Sequence, residues 1–240
     1  MSLLDSITNV EEHTQRAKLL KGVVCAIVTQ NYDDKKLGRV KVRFPWLSED
    51  NETDWIRVAV PMAGAKRGHY FIPEIDDEVL VAFEHGDVNR PLVIGSLWNI
   101  EDTAKDDAPE KDNNIKKYTS RCGHELIFEE TESEEKIQIL TQGGHKIIMD
   151  DTSSKEKIEI HSNAGHHLIL DDASGKEKVI LKDKTGKNFM EIDSNKNSIA
   201  IESDLDISIK STNITIEAKN QINIKASGQL IEQGALIKLN

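Results

Sequence analysis

The chain has 240 residues, 38% of them hydrophobic and 30% charged, with a formal net charge of −11. That length allows one large or two modest domains, and no run of about 18 apolar residues exists to cross a bilayer as a helix. Residues 1–100 carry 12 basic and 15 acidic groups (−3) and residues 101–240 carry 19 and 27 (−8), a balance that disfavours binding to nucleic acid or anionic lipid.

The opening MSLLDSITNVEEH lacks the basic, apolar and small-residue stretches of a secretory signal, so synthesis in the cytoplasm without a signal peptide is expected. Its apolar residues Leu3, Leu4, Ile7 and Val10 have helical spacing, and residues 1–20 read as a helical or frayed arm. Two cysteines, Cys25 and Cys122, make no disulfide framework, and the sequence assigns neither a role.

Five strand-like runs follow: Gly22–Gln30, Gly38–Pro45, Asp54–Val60, Glu78–Glu84 and Pro91–Leu97. The turn-rich segments NYDDKKLG, SEDNET and HGDVNR separate them. Five short strands over residues 21–100 predict a small closed barrel of the OB type. Its expected core is Val24, Ile27, Val40, Val42, Phe44, Ile56, Val58, Val79, Val81, Phe83, Val93 and Ile94. OB barrels often bind oligonucleotides through basic and aromatic residues, and Arg39, Lys41, Arg43 and Arg57 invite that thought. Alternation gives a simpler account, in which these four occupy the solvent face.

Residues 101–121 read as a linker. The charged stretch IEDTAKDDAPEKDNN, Ile100–Asn114, has no periodicity. All five prolines, all three Trp and all three Tyr lie before Gly123. A proline-free remainder suits uninterrupted strand pairing.

From residue 122 to 240 the chain is repetitive. GHELIFEETESEEKIQIL at Gly123 recurs as GHKIIMDDTSSKEKIEIH at Gly144 and GHHLILDDASGKEKVILK at Gly165. A looser copy, GKNFMEIDSNKNSIAIES, starts at Gly186. The glycines are 21 residues apart each time, the mark of stacked units, and apolar residues alternate with polar ones as in half-buried strands. The spacing then shortens to seven or eight in the pairs Ile199/Ile201, Ile207/Ile209, Ile214/Ile216 and Ile222/Ile224. Such a strand pair offers one narrow apolar face and cannot enclose a core by itself. Three chains turning these faces to a common axis would form a dry triangular prism, with each buried Ile contributing roughly 1.5–3 kcal/mol. The expected class is all-β: an N-terminal OB barrel followed by a triple-stranded β-helix, or β-prism, made by a trimer. These eight isoleucines form its expected core. Ser208, Lys210, Thr215, Glu217, Asn223 and Lys225 fall on the outside.

Three patterns bear on chemistry. His124, His145 and His166 each follow a repeat glycine, and imidazole trios bind metals, but a repeated turn position explains them more simply. The acidic pairs Glu129/Glu130, Asp150/Asp151 and Asp171/Asp172 lack the glycine-rich nonapeptide of calcium solenoids and read as solvated turns. No GxSxG or HExxH occurs, so no catalytic site, metal or cofactor is expected.

The stretch GRVKVRFPWL, then WIRVAVPMAGAKRGHYFIPEIDDEVLVAFEHGDVNRPLVIGSLWN over Trp55–Asn99, resembles the OB domain of the phage baseplate assembly protein V family. That family includes the valine-glycine repeat (VgrG) spikes of type VI secretion. Asp76 stands where the family usually has glycine, and the IxI run resembles the family's C-terminal β-helix. The resemblance implies a non-enzymatic trimeric spike at the tip of a contractile injection apparatus, assembled into a phage tail-like particle or baseplate and puncturing a target membrane. It also implies a separate hub protein at the OB end and a PAAR-like tip protein docking on Leu236, Ile237 and Leu239. A histidine pair that holds iron at some family tips has no counterpart here. The alternative is an OB-fold module for nucleic acid or polysaccharide carried on a β-solenoid oligomerisation stalk.

Overall fold

The computed structural model describes residues 20, 22–47, 51–104 and 111–238. The expected N-terminal arm, Leu20 excepted, lies outside these residues. The chain divides into two compact units, Met1–Ala108 and Pro109–Asn240. Regular structure among the described residues is all strand apart from a single 3-10 turn at Glu84–Gly86.

The first unit holds β1 (Val23–Gln30), β2 (Arg39–Arg43), β3 (Ile56–Val58), β4 (Ala63–Gly64), β5 (Arg67–Gly68), β6 (Glu78–Phe83) and β7 (Pro91–Ser96). Strands β1, β2, β3, β7 and β6 close in that order into a barrel, with β3 and β7 parallel and the other pairs antiparallel. The small β4–β5 hairpin stands apart, in a stretch without strand periodicity. Closure leaves no free edge among the five strands, the constraint that a small all-β domain must meet.

Alternation fills the interior. Val28, Val40, Val42, Val79, Val81 and Val93 are fully buried, and Ala26, Phe44, Ile56 and Phe83 complete the core, with Leu20, Val24, Val58 and Ile72 packed against it. Two expected core residues face outward instead. Ile27 lies opposite Arg43 and Glu78, because the inward phase of β1 is Val24, Ala26, Val28. Ile94 is 41% exposed because the register slips there: Val81 pairs with Val93 and Leu80 with Gly95, so Ile94 is the extra residue of a bulge. Asp76 has φ +75°, and its N–H donates to the Val28 carbonyl at 2.9 Å. A left-handed position explains why glycine is usual there, and Asp is among the few residues that tolerate it.

The second unit is one nine-stranded antiparallel meander: β8 (Ile115–Thr119), β9 (Glu125–Glu129), β10 (Lys136–Leu140), β11 (Lys146–Asp150), β12 (Lys157–His161), β13 (His167–Asp171), β14 (Lys178–Lys182), β15 (Phe189–Asp193) and β16 (Ser198–Glu202). Each 21-residue repeat supplies two strands. Strand β8 falls inside the segment expected to be linker, so the sheet begins before Gly123. From Asp204 to Lys238 every residue is exposed and none lies in a strand.

Three substitutions test this account. Ile56→Ala should lower barrel stability by about 2–5 kcal/mol, whereas Ile94→Thr should cost less than about 1 kcal/mol. Asp76→Gly should stabilise by up to about 1 kcal/mol through relief of the left-handed backbone. Urea unfolding followed by the fluorescence of Trp55 measures all three.

Candidate functional site

The repeat sheet has two unlike faces. On one, directly opposed residues form two apolar columns across the strands. One column runs Phe128, Ile137, Met149, Ile158, Leu170, Val179, Ile192, Ile199. The other runs Leu126, Ile139, Ile147, Ile160, Leu168, Leu181, Met190, Ile201. These residues are poorly covered: Ile139 is 44% exposed, Leu181 52% and Ile199 72%. A contiguous apolar face of this extent marks an assembly surface.

The opposite face is mixed: Ile127, Ile148, Ile169 and Ile180 share its central row with Gln138, Glu159 and Glu191, and a charged row flanks them. Glu129, Lys136, Asp150, Lys157, Asp171, Lys178 and Asp193 oppose one another in an alternating ladder of charge, the arrangement in which cross-strand pairs stabilise a sheet. The acidic members also close the turns beyond their strands. Asp150 Oδ1 accepts from Thr152 N–H at 3.0 Å, Asp171 Oδ1 from Ala173 N–H at 3.1 Å, and Asp193 Oδ1 from Lys196 N–H at 2.9 Å. Burial opposes the charge of Asp150, but the Thr152 hydroxyl and N–H, with Lys136 and Lys157, outweigh it and hold its pKa below the usual value. The first carboxylate of each acidic pair is thus a turn cap. Asp150 is buried, so the expectation of solvated turns fails there.

At the other edge of the sheet the repeat glycines Gly123, Gly144, Gly165 and Gly186 have φ of +78°, +88°, +95° and +72°. Each is the left-handed residue of a tight hairpin, and its N–H donates to the carbonyl of Ser120, Thr141, Ser162 or Asp183. The side chains at those four positions close the same turns: the Ser120, Thr141 and Ser162 hydroxyls accept from the N–H of His124, His145 and His166. In the fourth repeat Asp183 does this work, and hydrogen bonds from Asn188, then Thr185, depress its pKa to about 2 against the opposing effect of burial.

The histidines link one turn to the next. Gln142 N–H donates to His124 Nδ1 at 3.3 Å and Asn163 N–H donates to His145 Nδ1 at 3.2 Å. Among the described residues no three His, Cys, Asp or Glu side chains converge as a metal site.

Of the eight isoleucines expected at a trimer axis, Ile199 and Ile201 continue the apolar columns. The other six lie in the strandless segment after Asp204, with exposures of 57% and 71% (Ile207, Ile209), 54% and 70% (Ile214, Ile216), and 50% and 62% (Ile222, Ile224). Leu236 and Ile237 are exposed, and Leu239 lies outside the described residues.

Sequence comparison bears on the barrel. Residues 24–98 match the type VI secretion system/phage-baseplate injector OB domain. The match runs from β1 to just beyond β7 and so takes in the closed barrel. The chain is 37% identical over 105 residues to the type VI secretion system spike protein VgrG1a of Pseudomonas aeruginosa, 41% of this chain and 16% of that protein. It is 35% identical over 113 residues to the spike protein VgrG3 of Vibrio cholerae, 44% of this chain and 11% of that protein. It is 34% identical over 113 residues to the actin cross-linking toxin VgrG1 of Vibrio cholerae, 44% of this chain and 10% of that protein. The matches therefore span only 10–16% of the length of these relatives.

On the barrel, three of the four basic residues singled out for nucleic acid, Arg39, Lys41 and Arg57, pair with carboxylates. Asp33 takes Arg39 in a two-pronged pair, Nε and Nη2 each at 2.8 Å, and also accepts from Lys35 and Leu37 N–H. The Arg39 guanidinium holds the Asp33 carboxyl well below the usual range. Lys41 reaches Glu52 at 2.8 Å, while Arg57 and Arg90 both pair with Glu84. Cys25 sits beside Glu78, whose hydrogen bond, together with burial, pushes the thiol pKa up, away from a reactive thiolate.

Turn chemistry supplies the check for the repeat sheet. Gly175 has φ +78° where the matching Ser133 and Ser154 have +65°, so Gly175→Ser should be tolerated within about 1 kcal/mol. A Cβ at Gly144 would approach Asn163 Oδ1 to 2.6 Å at φ +88°. Gly144→Ala should therefore be the more damaging of the two, by about 1–2 kcal/mol in thermal unfolding.

Proposed function

We propose that the chain is a structural, non-enzymatic spike subunit that acts as a homotrimer in a contractile injection apparatus. The observation that carries this reading is the apolar face of the repeat sheet, which one chain leaves open along the eight strands β9–β16. A second observation supports it. Between Asp204 and Lys238 alternating isoleucines sit exposed and outside any strand of their own chain. Backbone donors and acceptors in such a segment find partners when neighbouring chains lie alongside, and three copies around an axis cover the apolar face with closed symmetry.

The relatives named as type VI secretion spike proteins support the placement in an injection machine. In this reading the barrels meet a separate hub or baseplate protein, and the trimeric prism meets the target membrane. Ile199, Ile201, Ile207, Ile209, Ile214, Ile216, Ile222 and Ile224 line the axis. A PAAR-like tip protein docks over the exposed Leu236 and Ile237 together with Leu239.

Light scattering should give about three times 26.9 kDa at micromolar concentration, and a monomeric mass would overturn the reading. Ile216→Asp should abolish assembly by placing three unpartnered carboxylates around one axis. Lys210→Glu should leave the trimer intact, and equal tolerance of both substitutions would show that the inside/outside assignment is wrong.

A further inference from the structure

Five of the eight histidines lie in the repeat unit, and four of them make contacts to a neighbouring turn or strand. His124 and His145 accept a backbone N–H at Nδ1, each tying its own turn to the turn 18 residues on. An imidazolium carries N–H on both nitrogens and cannot accept. Protonation therefore turns each of these links into a donor facing a donor.

His161 and His167 are direct cross-strand partners with ring centroids 4.0 Å apart. His167 Nδ1 is buried without a hydrogen-bond partner. The charged groups around them come from four strands. Lys146 on β11 opposes His161, and Lys182 on β14 opposes His167, so four cationic or protonatable groups follow one another across the sheet. Glu159 on β12 lies 3.3 Å from His161 Nε2 but is also bound by Lys157 at 3.1 Å. His166 adds a third imidazole near His167. Glu159 offsets one proton on the pair. A second proton places imidazolium against imidazolium between two lysines.

We propose that the 21-residue repeats form a pH-responsive section of the chain, held closed at neutral pH by these four imidazoles and loosened when they take up protons. The direction of the titration agrees. Burial, then His161 and Lys182, hold the His167 imidazole below its usual range. The unfolded chain then binds more protons than the folded one, so stability is present above the unfolded value of about 6.5 and is lost as pH falls towards the folded value. The barrel has its strongly shifted carboxylate, Asp33, far below this window.

The test is hydrogen exchange on the full-length protein at about pH 7.5 and about pH 5.5, corrected for intrinsic exchange. Segments 141–163 and 157–171 should lose protection about tenfold or more at the lower pH, while β1–β7 keep theirs. The variant His124→Asn/His145→Asn retains a side-chain acceptor without titrating, and His161→Leu/His167→Gln removes the pair. Each double variant should reduce the pH effect, and the combined variant should abolish it. Equal protection of the wild-type repeats at both pH values would overturn the proposal, as would an undiminished pH effect in the combined variant. If the combined variant does not fold, the wild-type comparison and the two double variants decide. The spike reading is tested by mass and this proposal by the pH dependence of protection at one protein concentration, so a failure here is distinguishable from failure of the spike reading.

Discussion

A single-layer sheet with strict alternation has one face that it cannot cover, and the second unit of this protein is built around that fact. The repeats place two columns of large apolar residues on the face where nothing answers them, while the other face combines a charged row with Ile127, Ile148, Ile169 and Ile180. On that other face carboxylates and ammonium groups alternate across seven strands, and the acids close the turns. The apolar face is complete only when another surface lies on it, and burial of each large aliphatic side chain there contributes about 1.5–3 kcal/mol. The imbalance between the two faces ties folding to association.

The barrel obeys the opposite logic. Five strands close on a valine-rich interior, all their ladders are internal, and the ion pairs Asp33–Arg39, Lys41–Glu52 and Glu84 with Arg57 and Arg90 satisfy the rim. Beyond both lies the segment from Asp204 to Lys238, which has neither a closed core nor a ladder of its own. Three degrees of self-sufficiency follow one another along the chain. Local opening should be rarest where both backbone and side chains are satisfied internally, and most dependent on neighbours in the distal segment.

Much of this was legible in the residues. Period-2 alternation placed all five barrel strands to within a residue or two, and the glycine period marked the hairpins of the repeat sheet. The failures were local and physical. A bulge is one inserted residue, and alternation alone cannot place it, so Val93 and Ile94 both looked internal. The phase of β1 is set by Ala26, whose small side chain carries little hydrophobic signal beside Ile27. Strand β8 was hidden because IKKYT belongs to no repeat, although Tyr118 and Lys116 stand in register with Leu126 and Phe128. The charge ladder was present in the sequence as acid and lysine at strand ends, but it appears only once antiparallel register sets Asp150 between Lys136 and Lys157. The turn-to-turn role of His124 and His145 was not readable at all, since it depends on one hairpin lying beside the next.

Because each repeat glycine opens a unit that carries its own turn, its own capping acid and two strands, the unit is a quantum of length. Adding one such unit extends the sheet by two strand spacings, about 9.6 Å, without disturbing either apolar column or the alternation of charge. Removing one shortens it by the same step. In-frame duplication or loss of 21 codons thus changes reach while preserving chemistry, and the looser fourth copy, with Asp183 in place of a hydroxyl residue and the turn 194–197 shorter than its counterparts, shows how far a unit can drift and still fit.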